Sequence, residues 1–154
     1  MAQTHQFCTF YLDRLMFGVE LETVQEVIRY LEITEIPLAP RVVRGLMNLR
    51  GQIVTGIDLR RRLDLADRPA EAMPMNVVIR RADGAVSFLV DDIGDVVEVS
   101  EKAFEPPPRT LPGEAGELVG GVYKLKDRLL HSLLLDRVIR MPLEDEGLAR
   151  WSKT

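Results

Sequence analysis

The chain predicts an all-β protein with short helices, folded as two small barrels that share a seam. Three observations carry this. Short runs of apolar, β-branched and aromatic residues recur along the chain, and turn signals separate them. Stretches with helical spacing are few and brief. The two halves also echo each other, each sending a glycine-containing strand into a hairpin that ends in an apolar residue and aspartate, Ile57-Asp58 and then Leu135-Asp136. A seam between two barrels leaves a groove, and grooves between subdomains are common binding sites.

In chain order, Phe7 to Leu12 and Leu15 to Leu21 flank Asp13-Arg14 and predict a first hairpin, with Leu15, Phe17, Val19 and Leu21 on one face. Thr23-Val24-Gln25-Glu26 fits a capping box. Val24, Val27, Ile28 and Leu31 then lie at i, i+3, i+4 and i+7, which predicts a short helix. Ile36-Pro37-Leu38-Ala39-Pro40 reads as an extended connector. The stretch from Arg41 to Arg60 predicts a bent hairpin whose Arg50-Gly51 turn displays Arg50, with Ile53, Ile57 and Leu59 sharing one buried parity. Residues 64 to 75 carry small residues, charges and two prolines, and the subdomain boundary is expected there. Asn76 to Arg81 and Ala85 to Val90 form a second hairpin about Ala82-Asp83-Gly84, followed by a strand at Val96 to Val99. Residues 100 to 117 read as a long loop. Leu118 to Leu125 and Leu129 to Leu135 make a last hairpin about Lys126-Asp127-Arg128, a helix starts near Asp136, and Arg150 to Thr154 is a polar tail. The expected division is a first subdomain of 7–70 plus a helix at 136–150, and a second of 74–135, within one domain of 1–154.

Composition narrows the function classes. The 154 residues are 46% apolar and 29% charged, the balance of a folded chain. A net charge of −4 and a pI near 5.3 argue against a generic nucleic-acid binder. Residues 41 to 62 nevertheless hold six arginines (41, 44, 50, 60, 61, 62) against Asp58, a local +5 that leaves −9 on the remainder. A basic ribbon on an acidic body is the mark of a binding surface. A small barrel with such a ribbon could bind RNA or DNA, but that reading wants aromatic residues among the arginines, and 41 to 62 contain none. No uncharged run approaches the ~18 residues of a membrane span, so no direct membrane insertion is expected. Met1 to Gln6 is no signal peptide, and the single Cys8 rules out an internal disulfide and suits a reducing cytoplasm.

The residues do not assemble an enzyme. With His5, His131 and Cys8 as the only histidines and thiol, no zinc spacing exists, and no metal or cofactor is expected. Phosphate-loop, dinucleotide and nucleophile-elbow patterns are absent. Gly120-Gly121 precedes Val-Tyr rather than a helix start and is poor phosphate-cradle material. Asp91, Asp92 and Asp95 could hold a cation or simply expose acids on a turn. His131 reads as a half-buried strand residue and Cys8 as a small core side chain.

Val24-Gln25-Glu26-Val27, the run Arg44-Gly45-Leu46-Met47-Asn48-Leu49-Arg50-Gly51-Gln52-Ile53-Val54 and then Ile57-Asp58-Leu59-Arg60 closely resemble the CheW-type chemotaxis coupling (adaptor) proteins of bacterial chemosensory arrays. The likeness continues through Glu105-Pro106-Pro107-Pro108 and Leu118-Val119-Gly120-Gly121-Val122. It implies two SH3-like five-stranded barrels and a non-catalytic scaffold. That scaffold bridges the cytoplasmic tip of a chemoreceptor to the regulatory domain of a CheA-type histidine kinase, and can close rings with other CheW-like proteins. A cytoplasmic location at the inner face of the membrane, within receptor arrays, follows from the same resemblance. So does a receptor contact at Val24, Glu26, Gly45 and Arg50, beside which Val27, Met47 and Asn48 are placed.

Each of these residues also has a local explanation. Val24 and Val27 could wall an apolar trough or fill helix core. Glu26 could be a capping partner, Gly45 could serve a β-bulge, and Arg50 could pair with Glu26. Arg50→Glu or Gly45→Asp is expected to abolish receptor-dependent kinase activation with the fold intact. Thr55-Gly56-Ile57-Asp58 and Leu134 depart from the family pattern, which weakens inference about the kinase contact and suggests a divergent output.

Overall fold

In the computed structural model, which describes residues 3–82, 84–111 and 114–143 (backbone alone from 141), eleven strands sort into two sheets. The first is built from β1 (Thr4–Leu12), β2 (Leu15–Glu20), β8 (Asp92–Ser100), β9 (Phe104–Glu105), β10 (Val119–Lys124) and β11 (Leu129–Leu133), in the order β8-β1-β2-β11-β10-β9. The second contains β3 (Val24–Ile28), β4 (Val43–Leu49), β5 (Gln52–Asp58), β6 (Met75–Arg81) and β7 (Gly84–Val90), in the order β3-β6-β7-β5-β4. Helices are short: α1 (Leu59–Arg62), α2 (Ala115–Leu118) and α3 (Leu135–Leu143). The all-β architecture of two small SH3-like barrels is therefore as expected, with six strands in one sheet and five in the other.

The hairpins fall where turn chemistry places them, and long-range pairing decides the rest. β2 pairs in parallel with β11 and β5 in parallel with β7, so each barrel draws strands from distant parts of the chain. The division at 70–74 is accordingly corrected. Residues 64–74 join α1 to β6 and do not separate the barrels. The chain changes sheet at the 3-10 turn Leu21–Thr23 and again at Asp91, between β7 and β8. α3 starts one residue before Asp136, and residues 144–154 lie outside the described part. The long connection over 100–117 carries a 3-10 turn at Glu101–Ala103, β9 and α2.

The predicted helix over Val24 to Leu31 is also overturned, because Val24–Ile28 is a strand paired with β6. A register shift between Val24 and Glu26 inserts one extra residue, so the apolar side chains no longer alternate and mimic a helical stripe. The Thr23 hydroxyl donates to the Glu20 carbonyl at 2.7 Å, closing the 3-10 turn in place of capping a helix. Beyond β3 the chain swings round to β4, where Thr34 and Leu46 exchange backbone hydrogen bonds of 2.8 and 2.9 Å and help to close the second barrel.

Three apolar clusters hold the molecule together. One fills the first barrel around Phe7, Met16, Val99, Tyr123 and Leu130. Another fills the second around Met47, Leu49, Val54, Val78 and Leu89. The largest joins Phe10, Phe17, Ile57, Leu63, Phe88 and Val138, drawing on both sheets and on α3. The interior of the seam is thus packed. Burial of this area from water is the dominant stabilising term.

Candidate partner-binding face

The β4–β5 hairpin closes through a two-residue turn in which Arg50 (φ +50°) and Gly51 (φ +91°) both adopt left-handed backbone, the geometry that matches strand twist. Asn48 supports it by accepting the Gly51 N–H at 2.7 Å. The turn is held against β3 by two side-chain links. Gln25 donates to Gln52 at 3.2 Å, and the Arg50 guanidinium pairs with Glu26. The Arg50 side chain keeps 70% of its surface exposed while Glu26 keeps 25%. In this setting Arg50 is an oriented cation on the surface, and the internal pair is the means of orientation.

Around that ion pair lie two exposed apolar residues, Val27 at 40% and Ile53 at 60%. Ile53 was expected to be buried with Ile57. The two do share a strand face, but it is the outer face of the barrel, which the seam core covers at Ile57 and leaves bare at the turn end. The adjacent Val54 is fully buried inside the barrel, so of two neighbouring apolar residues one had to face outward. That juxtaposition in the sequence was the available signal.

The remaining expected contact residues separate by environment. Val24 is half-buried against the seam core, and Asn48 is exposed. Met47 is 2% exposed within the second barrel, so its place among direct contacts is withdrawn, and it acts as floor beneath the ribbon. Gly45 has φ +151°, and a Cβ there would stand 2.2 Å from the Thr34 carbonyl oxygen and 2.8 Å from Ile33 Cγ2. It is glycine because the chain returning from β3 lies directly against it. A β-bulge between Val43 and Gly45 accompanies this approach.

Most of the ribbon's other arginines face acids of the same chain. Arg41 meets Asp67 at 3.0 Å, and Arg61 lies 3.7 Å from Asp58 and 3.5 Å from Asp67. Arg60 grips Asp91 through Nε at 2.9 and 3.0 Å, and Arg68 reaches the same carboxylate at 2.9 Å. Arg62, 4% exposed, donates to the Val138 and Arg137 carbonyls at 2.8 Å and pairs with Glu114 at 3.2 Å, tying α1 to α3. Burial pushes the Asp91 carboxyl upward. Hydrogen bonds from Arg60, the Asp13 N–H and Arg68 outweigh that and hold it below the usual carboxylate range.

Asp91 is therefore an ion-pair hub and not a cation ligand, and among the described residues no group of three or more His, Cys, Asp or Glu could hold a metal ion. Cys8 is buried in the seam core, and burial pushes its thiol up. His131 is 4% exposed with Nδ1 2.7 Å from the Met16 carbonyl, more buried than expected. A Cβ on Gly121 would overlap the Phe104 ring, so that glycine serves close packing. Among the described residues, no helix is long and apolar enough to cross a membrane.

A family model described as a CheW-like domain matches residues 6–142. The chain is similar to the chemotaxis protein CheW of Treponema pallidum, with 28% identity over 123 residues covering 77% of this chain and 72% of that protein. It is also similar to the chemotaxis protein CheW of Thermotoga maritima, with 26% identity over 140 residues and 91% of each chain. Among solved structures it is similar to a crystal structure of the scaffolding protein TtCheW from Thermoanaerobacter tengcongensis. The TM-score is 0.79 at 25% identity, and the match covers 94% of this chain and 96% of that one. With the family model spanning nearly the whole chain and the same two-barrel fold in a solved relative, this protein belongs to the CheW-like domain family.

Proposed function

We propose that this chain is a non-catalytic adaptor that couples the cytoplasmic tips of chemoreceptors to the regulatory domain of a CheA-type histidine kinase. It works in the cytoplasm, at the inner face of the membrane within receptor arrays, where it can also close rings with other CheW-like proteins. The receptor lies on the face formed by Val24, Glu26, Val27, Asn48, Arg50 and Ile53, with Gly45 and Met47 fixing its shape from beneath. One observation carries this reading: apolar side chains at Val27 and Ile53 stay exposed beside a cation that Glu26 holds in place. An apolar strip with a charged, oriented rim suits one side of an amphipathic helix. The alternative of nucleic-acid binding loses its basis, since Arg41, Arg60, Arg61 and Arg62 are engaged by Asp67, Asp91, Asp58 and Glu114.

The test is co-sedimentation with a receptor signalling-tip fragment, with and without a CheA regulatory domain. A ternary complex that Arg50→Glu disperses from the receptor side, while binding to the kinase domain persists, supports the assignment. Unaltered receptor binding by Arg50→Glu and Ile53→Ser together refutes the face.

A further inference from the structure

The parallel pairing of β2 with β11 sets two hairpin turns side by side on the first barrel, Asp13-Arg14 before β2 and Lys126-Asp127-Arg128 before β11. Between them opens a cavity of about 550 Å³, walled by Leu15, Met16 and Leu129 and rimmed by Arg14 and Arg128. His131, on β11 and 4% exposed, lines its floor. The ring packs against Phe17, with centroids 5.3 Å apart, and Nδ1 lies 2.7 Å from the Met16 carbonyl oxygen. A carbonyl only accepts, so Nδ1 carries the proton, and in the neutral ring Nε2 keeps a lone pair. His131 makes no other hydrogen bond. Among the described residues, only Arg61 Nε is a side-chain polar atom both sealed from solvent and unpartnered, so His131 Nε2 opens into the cavity. The rim is cationic on both sides. Arg128 donates to the Tyr11 hydroxyl at 2.6 Å, with its guanidinium 5.7 Å from the centre of that ring, and this holds it at the cavity wall. Asp127, 3.4 Å from Arg128, is the one carboxylate lining the cavity, against two guanidinium groups. Arg14 is exposed on the opposite turn.

We infer that this cavity binds a small hydroxycarboxylic acid. Arg14 and Arg128 receive its carboxylate, His131 Nε2 accepts its hydroxyl proton in a hydrogen bond, and its short carbon chain lies on Leu15, Met16 and Leu129. Forked N–H donors match a carboxylate in geometry as well as in charge. A single acceptor set in an apolar wall selects for a donor, because a ligand that covers it without pairing leaves it desolvated and unsatisfied. The volume suits a metabolite-sized ligand. His131 lies almost fully buried at the floor, where a small molecule reaches it and the backbone of a helix does not. The site belongs to the first barrel, apart from the Arg50 turn on the second, and does not depend on the receptor reading.

The experiment follows the His131 imidazole by NMR in the full chain at constant pH and ionic strength. Lactate and malate are titrated in, each beside the acid that lacks its hydroxyl, propionate and succinate. The chain has two histidines, and His5→Gln identifies the His131 signal by elimination. A saturable shift of Nε2 with a hydroxy acid is expected, with binding of its deoxy counterpart weaker by about tenfold or more. Arg14→Glu and Arg128→Gln, both on hairpin turns, are each expected to weaken binding by about fivefold or more with the thermal melt unchanged. Equal binding of hydroxy and deoxy acids overturns the inference, and so does wild-type affinity in both arginine variants or a flat titration with every acid. A His131 shift on adding the kinase regulatory domain, with none for any acid, also overturns it and makes the cavity part of a protein interface.

Discussion

Replacing Gly45 by alanine adds a single methyl group where the second barrel has no space for one. The new Cβ would stand 2.2 Å from the Thr34 carbonyl oxygen and 2.8 Å from the Thr34 carbonyl carbon, both backbone atoms. Neither can swing aside, because Thr34 is fixed to Leu46 by hydrogen bonds of 2.8 and 2.9 Å. Relief means giving up that bridge, at about 1 kcal/mol for each bond, and holding alanine at φ +151° adds roughly 1–3 kcal/mol. The expected loss is about 3–5 kcal/mol, a large share of the ~5–15 kcal/mol of a typical domain. For a chain of this length that corresponds to a melting temperature lower by about 10 °C. Urea denaturation measures the free energy and a thermal melt the shift. A change below about 0.5 kcal/mol would show that the backbone approach at Gly45 is not as close as the structure has it. Gly45→Asp, expected from the sequence to spare the fold, must destabilise it for the same reason, so lost kinase activation in that variant cannot be assigned to the receptor face alone.

The surface positions separate function from stability in the opposite sense. Arg50→Glu sets two carboxylates side by side at an exposed site and is expected to change stability by less than about 1 kcal/mol while receptor binding falls at least tenfold. Ile53→Ser removes an apolar side chain that is 60% exposed; an unchanged melt with weakened receptor binding is expected, and the reverse pattern would place Ile53 in the core. Asp91→Asn leaves Arg60 and Arg68, 12% and 9% exposed, without their shared anion, and is expected to cost about 2–4 kcal/mol in urea denaturation. The native Asp91 carboxyl titrates below its unfolded value, so its contribution is complete above about pH 4 and is lost as pH falls through the folded value. Stability of Asp91→Asn is expected to decline less steeply on acidification than the wild type, and parallel acid limbs would refute this.

Local chemistry made much of the molecule legible in advance. Asp13-Arg14 and Arg50-Gly51 turned their strands where expected, because two-residue turns are governed by the backbone preferences of the turn residues themselves. The combination of Val24-Gln25-Glu26 with the Asn48-Leu49-Arg50-Gly51 hairpin identified the family, which the comparison over residues 6–142 established. The Val24 segment was misread because a bulge displaces alternation by one residue, and whether a bulge forms depends on the partner strand, here β6, some fifty residues away.

The sequence by itself determined most of the strands and hairpin turns, the all-β class and the basic ribbon, since each depends on residues within a few positions of one another; β3 and β9 escaped it. Only the tertiary structure decided which strands share a barrel, that Met47 is interior while Ile53 faces outward, and that most of the ribbon's arginines answer to Asp58, Asp67, Asp91 and Glu114. Those outcomes depend on where the second barrel and α3 come to rest, and so on contacts between residues far apart in the chain. A period-two pattern tells which side chains share a face, but the covering layer determines where along the strand that face is buried.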